Sequence, residues 1–148
     1  MPEPMADSTT EKSNGERMYA MSTGSDDTAQ QAVLENLSRI VEAARESDQT
    51  GAARSFVSTD LNLNVVRLGQ GERIEGHVNS EVDVVAVVLA GAGTLELRER
   101  TQALEAGTLF LVPKGTWRAI HASDESDFIY LTCHRRRAGL FPTRPPRR

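Results

Sequence analysis

Cysteine is almost missing. Cys133 is the one thiol in 148 residues, so no internal disulfide can staple this chain. It lies in the apolar run Phe128–Cys133, where a buried, inert thiol is expected, and no second Cys stands near it to form a redox pair. Aromatic residues make up only 5% of the sequence, too few to build a stacking platform, so nucleic acid is not an expected partner. No apolar run approaches the ~18 residues that a membrane span requires, and the first residues lack the basic start and apolar stretch of a secretory signal. A Gly-x-Ser-x-Gly nucleophile elbow and a phosphate loop are both missing. These absences turn attention to a cytoplasmic protein without membrane partners.

What is present is ordinary in bulk and uneven in detail. A hydrophobic content of 39% and a charged content of 26% suit a single globular domain with loose ends. Net charge is -4, yet residues 134–148 hold six arginines and no acid, leaving -10 on the rest. A solvated basic tail is the simplest reading of that asymmetry, with an acidic partner as the rival.

Four stretches differ in pattern. Residues 1–27 are rich in Ser, Thr, Gly, Asp and Glu and poor in branched apolar residues, so they are expected to stay disordered; Met1, Met5, Met18 and Met21 leave the start of translation open. Residues 28–51 hold a helix and a linker. Val33, Leu34, Leu37, Ile40, Val41 and Ala44 recur at helical spacing, which predicts one amphipathic helix over Thr28–Ser47 with Asp27 or Thr28 as its cap. A helix of that length is marginal alone, so its stripe must dock on something. From 52 to 133 the period changes to two. The strands read Ala52–Val57, Leu61–Leu68, Arg73–Asn79, Val82–Ala90, Thr94–Arg98, Gln102–Leu104, Leu109–Val112, Trp117–Ala122 and Phe128–Cys133. Turns are expected at Gly69–Gly71, Gly91–Gly93, Pro113–Gly115 and Ser123–Ser126. So many short strands predict a mainly all-β fold, a closed antiparallel barrel or jelly roll that removes exposed edges. Residues 134–148, with Pro142, Pro145 and Pro146 among the arginines, read as an unstructured basic tail.

Two glycine-bounded segments carry a more specific signal. The first runs Gly71-Glu-Arg-Ile-Glu-Gly-His77-Val-Asn79 and continues to Gly91; the second runs Gly107-Thr-Leu-Phe-Leu-Val-Pro113-Lys-Gly115-Thr-Trp-Arg118. This layout resembles the two motifs of the cupin superfamily, in its small single-domain type, over residues 52–133. The resemblance implies a small antiparallel β-barrel or jelly roll, which often holds a metal and frequently dimerises through its outer sheets, so a homodimer is expected. Gly71, Gly91, Gly107, Pro113 and Gly115 keep the family framework. Of the family's four metal-ligand positions only His77 keeps its residue type; the second His position is Asn79, the Glu position is Val84, and the last His position is Arg118.

A transition metal needs at least three converging N, O or S donors. Asn79 offers a weak amide oxygen, Val84 offers nothing, and Arg118 is a permanent cation that would repel a dication. Strand alternation turns Asp83 away from Val84, and His121 away from Arg118 and Ile120. The expectation is therefore no metal cofactor and a small organic anion as ligand. Arg118 would hold its charge, His77 and Asn79 would orient it, and Val84 and Ile120 would wall it. Two rivals stand beside this. One is a metal-dependent oxygenase or isomerase with Fe, Mn, Ni or Zn on His77, Asn79 and a reoriented Asp83, helped by His121. The other is an interaction protein with a filled barrel, in which Asp83, Glu81 or Glu75 neutralises Arg118. Trp117 is expected to cover an apolar surface. Glu96, Glu99, Glu105, Arg98 and Arg100 read as a solvated, cross-paired outer face rather than an acid–base pair.

Overall fold

Period-two hydrophobicity becomes strand throughout the segment where it was expected. In the computed structural model, which describes residues 31–47 and 49–137, helix α1 (Leu37–Glu46) precedes eight strands. These are β1 (Gly51–Val57), β2 (Leu61–Leu68), β3 (Arg73–Val78), β4 (Val84–Leu97), β5 (Arg100–Glu105), β6 (Leu109–Val112), β7 (Trp117–Ala122) and β8 (Phe128–Arg135). All pairings are antiparallel. A large sheet runs β1-β2-β8-β4-β6, and a small sheet runs β3-β7-β4-β5.

Strand β4 belongs to both sheets. Its first half, Val84–Gly91, pairs with β8, and its second half, Gly93–Leu97, pairs with β7. The expected turn at Gly91–Gly93 is not a reversal, so two expected strands are one. The register slips between Val88 and Ala90, and Gly91 takes φ 77°, a left-handed conformation. A bulge of this kind bends a strand without ending it. A Cβ at Gly91 would overlap the Asp127 carbonyl, so only glycine lets β8 pass this close.

The bend folds one sheet over the other and encloses the main core. Val66 and Leu68 of β2, Ala86 and Val88 of β4, Ile120 and Ala122 of β7, and Phe128 and Tyr130 of β8 all meet there. A second cluster lies on the outer face of the large sheet, where Ile40 and Ala44 of α1 pack on Val65, Ala90 and Ile129. The large sheet is thus covered on both faces at β2, which is why neighbours Val65 and Val66 are both buried.

The helix docks as expected but is shorter than expected. It starts at Leu37 because Asn36 caps it, accepting from the Arg39 N–H at 3.2 Å. Val33 and Leu34 are non-helical and 63% and 84% exposed. Their spacing fits the stripe, but they are left largely exposed, and a stripe that buries little does not hold a helix. The expected caps Asp27 and Thr28, and the expected disorder of residues 1–27, lie outside the described residues. At the other end, strand runs into the segment expected to be a basic tail, and the rest of that segment, with Pro142, Pro145 and Pro146, lies outside the described residues. Strand β8 reaches Arg135, Arg136 donates its N–H to the Asp60 carbonyl at 2.7 Å, and Arg137 pairs with Glu81. No helix of the described residues is long and apolar enough to cross a membrane.

Candidate functional site

Local backbone irregularity sets the site. Ile74 pairs with Ile120 and His77 pairs with Arg118, so β3 spends three steps where β7 spends two. The extra residue is a bulge at Glu75–Gly76. It lets His77 share a face with Ile74, which plain alternation would forbid. Gly76 is required there because the Trp117 ring lies against it, leaving no room for a Cβ. Trp117 therefore covers the outer side of the small sheet at this bulge.

The two sheets then wall a cavity of about 170 Å³. The small sheet supplies Ile74, His77, Arg118 and Ile120; the large sheet supplies Val84, Ala86, Tyr130 and Thr132, with Phe110 and Val112 from its edge strand β6. Of the residues expected to bind a ligand, His77, Arg118, Val84 and Ile120 come together here. Asn79 does not line the cavity. It is buried at the β3–β4 turn, where its Oδ1 accepts from the N–H groups of Glu81 and Val82 at 3.0 and 3.3 Å and its carbonyl accepts from Gly115 at 2.7 Å. The side chain that would have oriented a ligand instead ties two loops together, as Asn often does in turns.

Arg118 is 8% exposed. None of the carboxylates that could have neutralised it does so. Glu75 pairs with Arg73, Glu81 pairs with Arg137, and Asp83 accepts from the Lys114 N–H at 2.8 Å. Among the described residues no side chain or carbonyl bonds to the Arg118 guanidinium. Burial lowers its pKa; the Tyr130 phenol opposes this and Arg137 adds to it. Loss of water around a charge without a counter-charge has that effect. Opposite, burial pushes the Tyr130 phenol well above its ordinary range, partly offset by Arg118. Its hydroxyl likewise bonds to no described residue. His77 stands exposed at the mouth, its Nδ1 within 2.9 Å of the Glu75 carbonyl.

The donors expected for a metal do not converge. Asp83 is exposed and faces an outer cleft with Glu81, Lys114 and Arg135. His121 lies on the outer face of the small sheet, its Nε2 3.0 Å from Glu96. No group of three or more His, Cys, Asp or Glu side chains that could hold a metal occurs among the described residues. His77, next to a permanent cation, is left as the single good donor, and that set does not fit a transition ion.

Tyr130 and Thr132 were not expected at the site. Their signal was present: in Phe128-Ile-Tyr-Leu-Thr-Cys133 one alternate set carries two hydroxyls. Only the strand's place, between β2 and β4, shows that this set faces inward.

Residues 64–134 match the family model described as Cupin domain. No curated protein matches the chain. Among solved structures, BH2720 from Bacillus halodurans is 14% identical with a TM-score of 0.62, over 76% of this chain and 87% of that one. A protein with a double-stranded beta-helix domain from Klebsiella pneumoniae is 17% identical at 0.59, over 71% and 90%. KdgF from Halomonas sp. is 23% identical at 0.52, over 55% and 75%. At these identities the likeness speaks for the fold alone.

Proposed function

Because this chain carries a cupin domain over residues 64–134, whose fold does not by itself dictate chemistry, we propose that it is a small-molecule binding or sensing module. It holds an organic anion on Arg118, without a metal and without catalysing a reaction. One observation carries this reading: Arg118, a residue 8% exposed, lines a cavity and has no counter-charge among the described residues. A buried charge is expensive unless paired, and a guanidinium is the group best suited to receive a carboxylate or phosphate. Apolar walls with a few polar groups are the usual make-up of a small-molecule site. Val84 and Ile120 supply such walls, and His77 guards the entrance.

A second copy of the chain is the protein partner this reading expects, on the exposed apolar side of the large sheet. The cytoplasm is the compartment it assigns. Thermal shift with small carboxylates and phosphates tests the central claim. A ligand at one hundred times its dissociation constant adds about 2.7 kcal/mol to stability. The shift should vanish in Arg118→Met. An equal response in wild type and variant, or none in either, refutes the proposal. Elemental analysis tests the metal-free part: stoichiometric Fe, Mn, Ni or Zn lost on His77→Ala would favour the metal-dependent enzyme instead.

A further inference from the structure

The large-sheet wall of the cavity carries a second buried donor, one that the anion reading did not require. Tyr130 is 2% exposed and lines the cavity opposite Arg118. Its hydroxyl bonds to no described residue. A buried Tyr hydroxyl usually has a partner. Two such groups, lining one cavity from facing sheets, call for one acceptor between them. Resting on the anion reading, we infer that the cavity selects a short-chain monocarboxylate, its oxygens shared between the Arg118 guanidinium and the Tyr130 hydroxyl.

Charge, polarity and size each narrow the class. One cation balances one negative charge, whereas a phosphate monoester carries about -1.5 to -2 near neutral pH and would bury an excess. The rest of the lining is mostly Ile74, Val84, Ala86, Phe110, Val112 and Ile120, which favours hydrocarbon and penalises a second polar group. Besides Arg118 and Tyr130, the polar groups of the lining are His77, exposed at the mouth, and Thr132, whose hydroxyl lies 3.5 Å from the Asn64 carbonyl. A cavity of about 170 Å³ is close to the ~150 Å³ apolar cavity that takes up benzene, a ligand of about six non-hydrogen atoms. That is the size of butanoate.

Isothermal titration of the full chain with acetate, propanoate, butanoate, pentanoate and octanoate, beside inorganic phosphate and succinate, tests the inference. Each methylene up to butanoate should tighten binding about fourfold, and the gain should have stopped by octanoate. Phosphate and succinate should bind more weakly than butanoate. Tyr130→Phe removes one hydroxyl and keeps the ring in the core, so it should weaken butanoate about tenfold or more; unchanged affinity overturns the shared-oxygen geometry. If affinity is flat along the series, or succinate or phosphate matches butanoate while still depending on Arg118, the monocarboxylate class is wrong and the anion reading stands. If no anion binds in an Arg118-dependent way, both fall. The chain-length series uses only wild-type protein, so it decides even if a variant folds poorly.

Discussion

At the scale of single residues, Arg118 has a cost that can be measured without any ligand. A buried cation with no counter-charge among the described residues opposes folding, so its replacement by an apolar side chain of similar length should help. Arg118→Met is expected to stabilise the ligand-free protein by about 1–3 kcal/mol in urea denaturation while abolishing the anion response. A destabilised variant would mean that the guanidinium has partners holding it in place. Tyr130 gives a pH signature. Its folded pKa is raised by burial, so above the ordinary Tyr value of about 10 the unfolded chain loses a proton that the folded chain keeps. Stability conferred by the neutral phenol is complete below that pH and falls as pH rises beyond it, by up to about 1.4 kcal/mol per pH unit. Between pH 10 and 11, Tyr130→Phe should therefore lose less stability than wild type; parallel curves would contradict the burial of the phenol. Arg118 itself was legible in the sequence, because the glycine and proline framework fixed which position it occupied. Tyr130 was not, because a hydroxyl within an apolar run reads as core until the neighbouring strands fix which face is inside. Asn79 misled for a third reason: its position pointed inward by strand alternation, but turn hydrogen bonds claimed the side chain.

At the scale of elements, the irregular glycines decide more than the regular strands. β2, β6 and β7 match their expected bounds because alternation and bounding turns agree there. β4 did not, because Gly91-Ala-Gly93 has the composition of a turn and nothing in it distinguishes a reversal from a bulge. The structure makes the distinction testable. Gly91→Ala would strain a left-handed residue and collide with the Asp127 carbonyl, at a cost of about 2–4 kcal/mol. A true turn on the surface would tolerate it far better. The helix carries the complementary lesson. Its apolar spacing suggested a longer element, and docking cut it to Leu37–Glu46. Two contacts besides the core hold it: the Asn36 cap, and Asp127, which reaches Arg45 of α1 at 3.3 Å and Arg67 of β2 at 3.7 Å. Asn36→Ala should lower stability by about 1 kcal/mol. By contrast Leu34→Ala should do almost nothing by the same denaturant assay, since that residue is 84% exposed.

At the scale of the whole molecule, one half of the large sheet's outer face is covered and the other is not. Helix α1 covers the half at β2 and β8. Toward the edge strand β6, Leu109 is 68% exposed, Leu111 60% and Val85 40%, and Val85 stands directly across from Leu111. Scattered apolar residues need no explanation, but neighbours on one face that ends in an edge strand are the pattern of a docking surface or of an aggregation hazard. The homodimer reading makes it the former, with the same patch meeting itself about a twofold axis, the commonest arrangement of identical chains. Sedimentation at tens of micromolar should then give twice the chain mass. Leu111→Glu places a like charge on both sides of such an axis and should shift the protein to monomer, while leaving its unfolding free energy as monomer nearly unchanged, since the side chain is mostly exposed already. The cavity lies on the opposite face of the same strands: Val84 and Ala86 point into it, while Val85 points out. Anion affinity should accordingly survive Leu111→Glu, separating assembly from binding. A wild type that stays monomeric, or a variant that loses the ligand together with the dimer, would show that the two faces of the large sheet do not act independently.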